Sequence, residues 1–328
     1  MKSWNEVQTP SIDSSISFPA LSLTNSASGK KEPIKRKPLY RMYVCGITPY
    51  DATHLGHAAT YLTFDLINRY LTASGSKVRY VQNITDVDDP LLERANRDGL
   101  DWTDLAHQQI DLFRSDMINL RVIPPAHYIG AVDAIPLVTD AIEKLSLKDS
   151  IYSVDQDLYF KVHADAQFGQ RSHLSQDKMM EIFAERGGDP TRVGKIDPLD
   201  CLVWMSQRPN EPGWPSPFGT GRPGWHIECT AIAIKYLEPS PSEDALIDIQ
   251  GGGSDLIFPH HEMCSAQAQV LSGKPLASTY VHAGMIGLDG EKMSKSKGNL
   301  VLVSKLVAAG KDPMAIRWAL MKDHYRQD

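Results

Sequence analysis

Cysteine is scarce in this chain: four in 328 residues, at Cys45, Cys201, Cys229 and Cys264. Thiols so few and so far apart exclude a disulfide framework and leave metal binding or catalysis in a reducing compartment as their chemistry. No apolar run approaches the ~18 residues that a membrane span needs, and the N-terminus has no basic region followed by an apolar core. A cytoplasmic protein with no membrane partner is expected. An excess of positive charge is missing too. Lys and Arg number 34 against 40 Asp and Glu, a net charge of −6 with a pI near 6.0, which argues against a surface built mainly to bind nucleic acid. Apolar material is plentiful at 42% of residues, enough for one large α/β unit or two domains.

The stretch from Tyr43 to His57 carries the sharpest chemistry. An apolar run ending at Val44 reads as a buried strand, with Cys45 and Gly46 at its end, and a turn containing Pro49 leads to a helix opening near His54-Leu55-Gly56-His57. A strand, a turn and a helix N-terminus form a usual place to hold a phosphate. The two imidazoles, three residues apart, share a helix face, and Gly56 between them leaves the backbone open to close approach.

Around this stretch, the segment from Met1 to about Pro38 is Ser/Pro-rich and ends in a basic run, and it reads as a weakly ordered arm. Leu39 to Val44 is the first strand, Ala58 to Ala73 has helical apolar spacing closed by Ser74-Gly75, and Val78 to Asn83 is a second strand. That order predicts a right-handed parallel βαβ unit. Asp86, Asp88 and Asp89 follow at a strand's carboxyl end; they could bind a metal, but a cap and acidic first turn for the helix Leu91 to Arg97 explain them more simply. Helices are expected over Trp102 to Leu120 and Ala131 to Leu145, then a strand pair near Ile151 to Val162. The run ending in Cys201-Leu202-Val203-Trp204 is expected to return to the main sheet, with Cys201 a buried small hydrophobe.

Cys229 begins a helix after Gly224-Trp225-His226-Ile227-Glu228. Farther on, a buried strand over Leu246 to Ile249 feeds Gly251-Gly252-Gly253-Ser254-Asp255, where a ligand could lie against bare backbone. His260 and Cys264, spaced i, i+4, would share a helix face. Thiols and an imidazole at strand or helix ends point to zinc. The last signal is Gly290 to Asn299, readable either as a solvated charged loop or as a mobile clamp of ammonium groups on a polyphosphate.

His54-Leu55-Gly56-His57 resembles the HIGH motif, and Lys292-Met293-Ser294-Lys295-Ser296 fully matches the KMSKS motif, of class I aminoacyl-tRNA synthetases. The patterns at Cys45 to Thr48, Asn83 to Asp86, Gly224 to Cys229 and Gly251 to His261 are similar to cysteinyl-tRNA synthetases. Ala59 and Pro90 stand where those enzymes usually carry Arg and Lys. With Glu185-Arg186-Gly187-Gly188-Asp189-Pro190, these departures resemble the paralogous cysteine ligases of mycothiol biosynthesis. The implied fold is α/β, a Rossmann-like parallel-sheet class I catalytic domain over 39–285 with a connective insertion at about 125–198. The arm over 1–38 precedes it, and the KMSKS loop with the start of a C-terminal helical stem occupies 286–328. The chain ends at Asp328, one helix beyond that loop, so no anticodon-binding domain is expected.

The resemblance further implies zinc on Cys45, Cys229 and His260, with Cys264 either completing the site or merely packing. It implies catalytic roles for His54, His57, Lys292 and Lys295. Substrate and nucleotide contacts fall on Cys45, Gly46, Ile47, Thr48, Thr60, Asn83, Ile84, Thr85, Trp225, Gly253, Ser254, Asp255 and Ile286. Trp225 would wall a cysteine pocket, and ATP, with Mg²⁺, would lie over Gly253 to Asp255. The implied reaction activates L-cysteine as an adenylate and transfers it to the amine of glucosaminyl-inositol, with tRNA not expected as a partner. No base for the amine is identified; Asp51 and the carboxylates of Asp86 to Asp89 are candidates. Two other readings are a tRNA-charging cysteinyl-tRNA synthetase and a non-catalytic zinc-containing binding module that kept the fold.

Overall fold

The computed structural model of the chain describes the whole sequence apart from residues 14, 52, 289–290 and 294–298, and of residues 288, 291 and 292 it describes the backbone. Two short strands come first, β1 (Ser22–Asn25) and β2 (Lys30–Pro33), paired as an antiparallel hairpin. β3 (Leu39–Val44) leads through the His54 turn into α1 (Leu55–Ala73) and β4 (Lys77–Ile84). α2 (Asp89–Asp98), α3 (Trp102–Asn119), β5 (His127–Gly130) and α4 (Ala131–Ser146) follow. An excursion then holds β6 (Ile151–Val154), β7 (Asp157–Phe160), α5 (Gln176–Glu185), β8 (Cys201–Ser206) and β9 (Gly221–Pro223). The chain returns through α6 (Trp225–Leu237), β10 (Ile247–Gly253), α7 (Glu262–Ser272) and β11 (Ala277–Ala283). It closes with β12 (Gly287–Leu288), β13 (Glu291–Lys292), α8 (Val303–Ala308) and α9 (Pro313–Met321).

β3, β4, β5, β10 and β11 form one parallel sheet in the order β11-β10-β3-β4-β5. Met42, Tyr43 and Val44 are all buried, as a strand covered on both faces requires. On one face Leu62, Phe64 and Ile67 of α1 and Phe113 and Met117 of α3 pack into a core with Met42 and Val44. On the other, Cys229, Ile232 and Ala233 of α6 pack against Tyr43 and Val81. β3 runs by way of α1 to β4, whereas its other neighbour β10 runs by way of α7 to β11, so the crossovers leave in opposite directions. The gap between the carboxyl ends of β3 and β10 is therefore the switch point where open α/β sheets bind ligands.

Two expectations are corrected. Cys201–Ser206 does not return to the main sheet; it pairs antiparallel with β7 and β9 in a separate four-stranded sheet. An apolar run has the same local pattern in either sheet, and only non-local pairing chooses between them. The N-terminal segment is not simply a weakly ordered arm: it carries the β1–β2 hairpin, and Trp4 is buried with its indole N–H donating to Val122 O at 2.8 Å. A single aromatic in a polar stretch gives no periodic signal, so tertiary burial decided its fate. Two of the acidic cluster are as the simpler reading had it, with Asp88 the N-cap of α2 and Asp89 in its first turn, whereas Asp86 accepts the Val132 N–H at the start of α4 at 3.0 Å. Among the described residues, no helix is long and apolar enough to cross a membrane.

Asp65, buried on α1, fastens α9 to α1 and to the loop at Ile123. Its carboxylate takes Arg69 Nε at 2.7 Å, Arg317 Nη2 from α9 at 2.5 Å and the Ile123 N–H at 2.8 Å. Removing one partner of a buried ion pair strands the other charges and costs about 3–5 kcal/mol. Asp65→Ala should lower the unfolding free energy measured by urea titration by that amount, whereas a change below about 1 kcal/mol would show the network to be screened like a surface pair.

Candidate active site

Three elements converge at the switch point. The Cys45 N–H, just past β3, donates to Gly251 O on β10 at 3.0 Å, and Tyr61 Oη donates to Cys45 O at 3.1 Å. Gly46 must be glycine, because a Cβ there would stand 1.7 Å from Asn83 O. The Gly46 N–H donates to Asn83 Oδ1 at 2.7 Å and the Thr85 N–H to Ile47 O at 3.1 Å. Asn83 and Thr85 thus lock the Gly46–Ile47 backbone beside the site. Ile47 and Ile84 are buried in the core, so only their backbone can face a ligand. Thr48 contacts Asp88, whose carboxyl is pushed up to about 6 by burial and then by Asp89.

The first turn of α6 brings Cys229 against Cys45, Sγ to Sγ 3.9 Å. His260, in the tight turn before α7, completes a buried cluster with donor atoms all within 4.8 Å of one another. Two thiolates at about 2.3 Å from one tetrahedral zinc stand about 3.8 Å apart, so the spacing and the donor set fit zinc. Burial pushes the Cys229 thiol up, but the hydrogen bond from Cys45 and the His260 charge outweigh it and hold it well below the usual thiol range. Burial likewise opposes the charge on His260, and the sulfurs of Cys264 and Cys229 overcome it and raise the imidazole. Cys264 lies outside the three-residue cluster; its thiol donates to His226 O at 3.3 Å and stands 3.8 Å from His260 Nε2. Trp225 stacks on the His260 ring, centroids 4.5 Å apart.

On the α1 side, His54 is the N-cap and its Nδ1 accepts the His57 N–H at 3.3 Å. That bond leaves the proton of a neutral His54 on Nε2. The two rings stack at 3.6 Å. Burial lowers both, with Asp255 and Asp51 pulling His54 partly back and His54 pushing His57 further down. A Cβ on Gly253 would meet Asp255 Oδ1 at 2.5 Å and Thr60 Oγ1 at 3.8 Å, so Thr60, Gly253 and Asp255 gather at one point, with Ser254 between the last two. Gly251 admits the Phe64 ring, which a Cβ would strike at 2.2 Å, letting α1 lie close to β10.

Lys292 stands on the short strand β13, with half-buried Ile286 just before β12. Lys295 lies outside the described residues. The chain beyond it is tied to the histidine turn: Leu55 N–H donates to Val301 O and Val303 N–H to Thr53 O, both at 3.0 Å, and His54 bridges Leu302. The segment Val301 to Val303 is thus held beside the histidine turn. Two further residues at the site were given no individual role in the sequence reading. His261 sits with Nε2 3.3 Å from Cys45 Sγ, and Arg186 of α5's C-terminal cap donates to Phe258 O at 2.5 Å, bracing the turn that carries His260. His261 was visible in the sequence as one half of a His-His pair; no local signal could show what Arg186 touches.

Beneath the histidine turn, burial pushes the Asp116 carboxyl up to about 7, with Thr53 pulling it partly back. A folded-state pKa above the unfolded one (about 3.9) means that stability is full below pH ~4, falls as pH rises, and levels off above pH ~7. Asp116→Asn removes this loss. Its stability relative to wild type should therefore rise between pH 4 and pH 8, by about 4 kcal/mol at most. A difference independent of pH in paired thermal melts would show that the carboxylate is solvated.

Comparison with known proteins agrees with this geometry. Residues 31–328 match the family described as tRNA synthetases class I (C) catalytic domain. The chain is 57% identical over its whole length to the L-cysteine:1D-myo-inositol 2-amino-2-deoxy-alpha-D-glucopyranoside ligase of Thermomonospora curvata, covering 79% of it. The ligase of the same name from Kribbella flavida is 58% identical, with 80% covered. Among solved structures, Mycobacterium tuberculosis methionyl-tRNA synthetase in complex with methionyl-adenylate aligns with a TM-score of 0.65 at 18% identity, over 89% of this chain and 66% of that one. This likeness shows the fold. The chain belongs to the class I (C) tRNA-synthetase catalytic-domain family.

Proposed function

We propose that this chain is an ATP-dependent, AMP-forming ligase that activates L-cysteine as cysteinyl-adenylate and passes the cysteinyl group to the amine of glucosaminyl-inositol. The observation that carries the reading is the buried Cys45–Cys229–His260 cluster at the switch point, beside the His54–His57 turn. Zinc held there with an open position would take the substrate sulfur as a thiolate, which a serine hydroxyl cannot match. Discrimination of that kind needs no editing site. Trp225, stacked on His260, walls the pocket for the small side chain.

The nucleotide is assigned to the end of β10, over Gly253, Ser254 and Asp255. Its phosphates fall at the N-terminus of α1, where the helix dipole favours an anion. His54 and His57, held neutral by burial, serve there as hydrogen-bond donors. Lys292 and Lys295 supply positive charge to the same phosphates, and Mg²⁺ accompanies the triphosphate. In the first step a carboxylate oxygen of cysteine attacks the α-phosphorus and pyrophosphate leaves. In the second, the amine attacks the activated carbonyl, AMP leaves and the amine gives up a proton, so an amide is formed. The protein's work is positioning and charge stabilisation. The relatives, 57% and 58% identical and named as ligases of this kind, support the choice of acceptor.

Cysteine-dependent ATP–pyrophosphate exchange should be present, and amide should form on addition of glucosaminyl-inositol but not of tRNA. Absence of exchange sinks the enzyme reading, and cysteinylated tRNA without amide sinks the acceptor. His57→Ala should slow exchange by roughly 10²-fold or more, as loss of a transition-state donor does, with zinc content unchanged. Cys229→Ala should lose the zinc; if His57→Ala loses it as well, the metal has been placed wrongly.

A further inference from the structure

The run Glu185-Arg186-Gly187-Gly188-Asp189-Pro190 has no part in the chemistry described so far. In the fold it ends α5. Arg186 is the C-cap, Gly187 follows with a φ of +83°, and the Gly188 N–H donates to Phe183 O at 2.8 Å. Glycine stops a helix in this way because it takes the left-handed backbone without strain. Gly188 also lies against the Phe183 ring, which a Cβ would meet at 2.5 Å. Just beyond, Lys195 Nζ donates to Asp189 Oδ1 at 2.9 Å, and Tyr159 Oη donates to the same carboxylate. The backbone is therefore held on both sides of Arg186.

The Arg186 side chain reaches out of the excursion into the site. Its Nη1 donates to two carbonyl oxygens, those of Asp255 and Phe258, the second at 2.5 Å. Asp255 belongs to the run assigned to the nucleotide, and Phe258 stands two residues before His260 of the thiol–imidazole cluster. One guanidinium thus grips the short connection between the two halves of the site. That connection needs a grip: Phe258 has extended backbone, φ −141° and ψ 138°, in the midst of helical residues. No continuous helical ladder therefore sets the spacing of Asp255 and His260. Both acceptors are main chain, so the contact fixes the path of the backbone and not a side-chain rotamer. A planar guanidinium suits the task, because its charge-assisted bonds leave in a fixed geometry.

We propose that Arg186 is a positioning residue for adenylate formation: by holding the backbone from Asp255 to Phe258 it sets the nucleotide against the cysteine pocket, and so the cysteine carboxylate against the α-phosphorus. Each substrate keeps its own contacts when Arg186 is removed, and only their register is lost. A misplacement of about 1 Å between reacting groups costs about 10²-fold in rate. The proposal rests on the ligase reading above for its consequence, whereas the brace on residues 255–258 exists with or without substrates.

In cysteine-dependent pyrophosphate exchange, Arg186→Ala should lower kcat roughly 10- to 100-fold, with KM for ATP and for cysteine within about threefold of wild type and zinc content unchanged. Added guanidinium ion, well below denaturing concentration, should recover part of the rate. Should the alanine variant not fold, Arg186→Met keeps the apolar stem and gives the same test. The control is Arg192→Ala, which breaks the excursion's own ion pair with Asp157 at 2.6 Å; it should lower the melting temperature and leave kcat within about twofold. A kcat within about twofold of wild type in Arg186→Ala, a raised KM with kcat intact, loss of zinc along with the rate, or equal losses in the two variants overturns the proposal. Hydrogen exchange of the substrate-free chain tests the brace by itself: amides of residues 255–262 should exchange roughly tenfold faster in Arg186→Ala and not in Arg192→Ala. A wild type without pyrophosphate exchange defeats the ligase reading instead, and unchanged protection of that segment in Arg186→Ala then overturns the brace.

Discussion

The carbonyl oxygen of Asn83 fills the space where a side chain on Gly46 would begin. That contact sets how closely the ends of β3 and β4 approach, and most of the site follows from it. With Gly46 held by Asn83 and the Cys45 N–H on Gly251 O, the Cys45 thiol is fixed relative to both neighbouring strands. The α6 turn that brings Cys229 can then complete a pair at metal-ligand spacing. Glycine recurs on β10 for a related reason: Gly251 makes room for Phe64, which draws the histidine turn of α1 toward the end of that strand. Close approach of backbone, and not any single strong bond, is what assembles a site from five separate segments.

The surroundings of the cluster are polar and almost entirely buried, an arrangement that carries a desolvation cost unless its members satisfy one another. Here many of them pair in lines, although Gln250 Oε1 and Glu228 Oε2 are buried without a hydrogen-bond partner. Cys45 receives Gln250 and faces His261, His226 meets His260 with their Nδ1 atoms 3.0 Å apart, and Ser265 links His261 O to Tyr280 Oη. Glu262 anchors the same turn from the other side, taking the Gly169 and Ser172 N–H groups and Arg171 at 2.8–3.0 Å. The excursion between α4 and α6 therefore does more than decorate the sheet: Arg171 and Arg186 reach from it to hold the turn that presents His260.

Much of the framework was legible beforehand. Leu39–Val44 as a strand, the α1 helix, the parallel βαβ unit and the capping role of Asp88 all rest on periodicity and end signals within a dozen residues. The Cys45–Cys229–His260 cluster was readable only in part. Cys45, Cys229 and His260 were candidates by type and by their places at element ends, but resemblance selected them, because no local rule joins residues almost two hundred positions apart. Local reasoning went astray at Cys201–Ser206, whose apolar run suits either sheet, and at Trp4, a lone aromatic that tertiary packing buried.

The sequence by itself determined the elements and the chemical types: a strand, turn and histidine pair at a helix start, scarce reduced thiols, a glycine triplet and a lysine-rich loop. It could do so because helix and strand periods, caps and glycine turns are short-range physics. The tertiary structure alone decided which of these meet. It set the strand order that puts the switch point between β3 and β10, the pairing of Leu55 with Val301 that ties a late segment of the chain to the histidine turn, and the contact of Ser26 with Tyr280 that stitches the hairpin to β11. Such choices depend on long-range register and burial, where one backbone excludes or admits another, and no window of neighbouring residues contains that information.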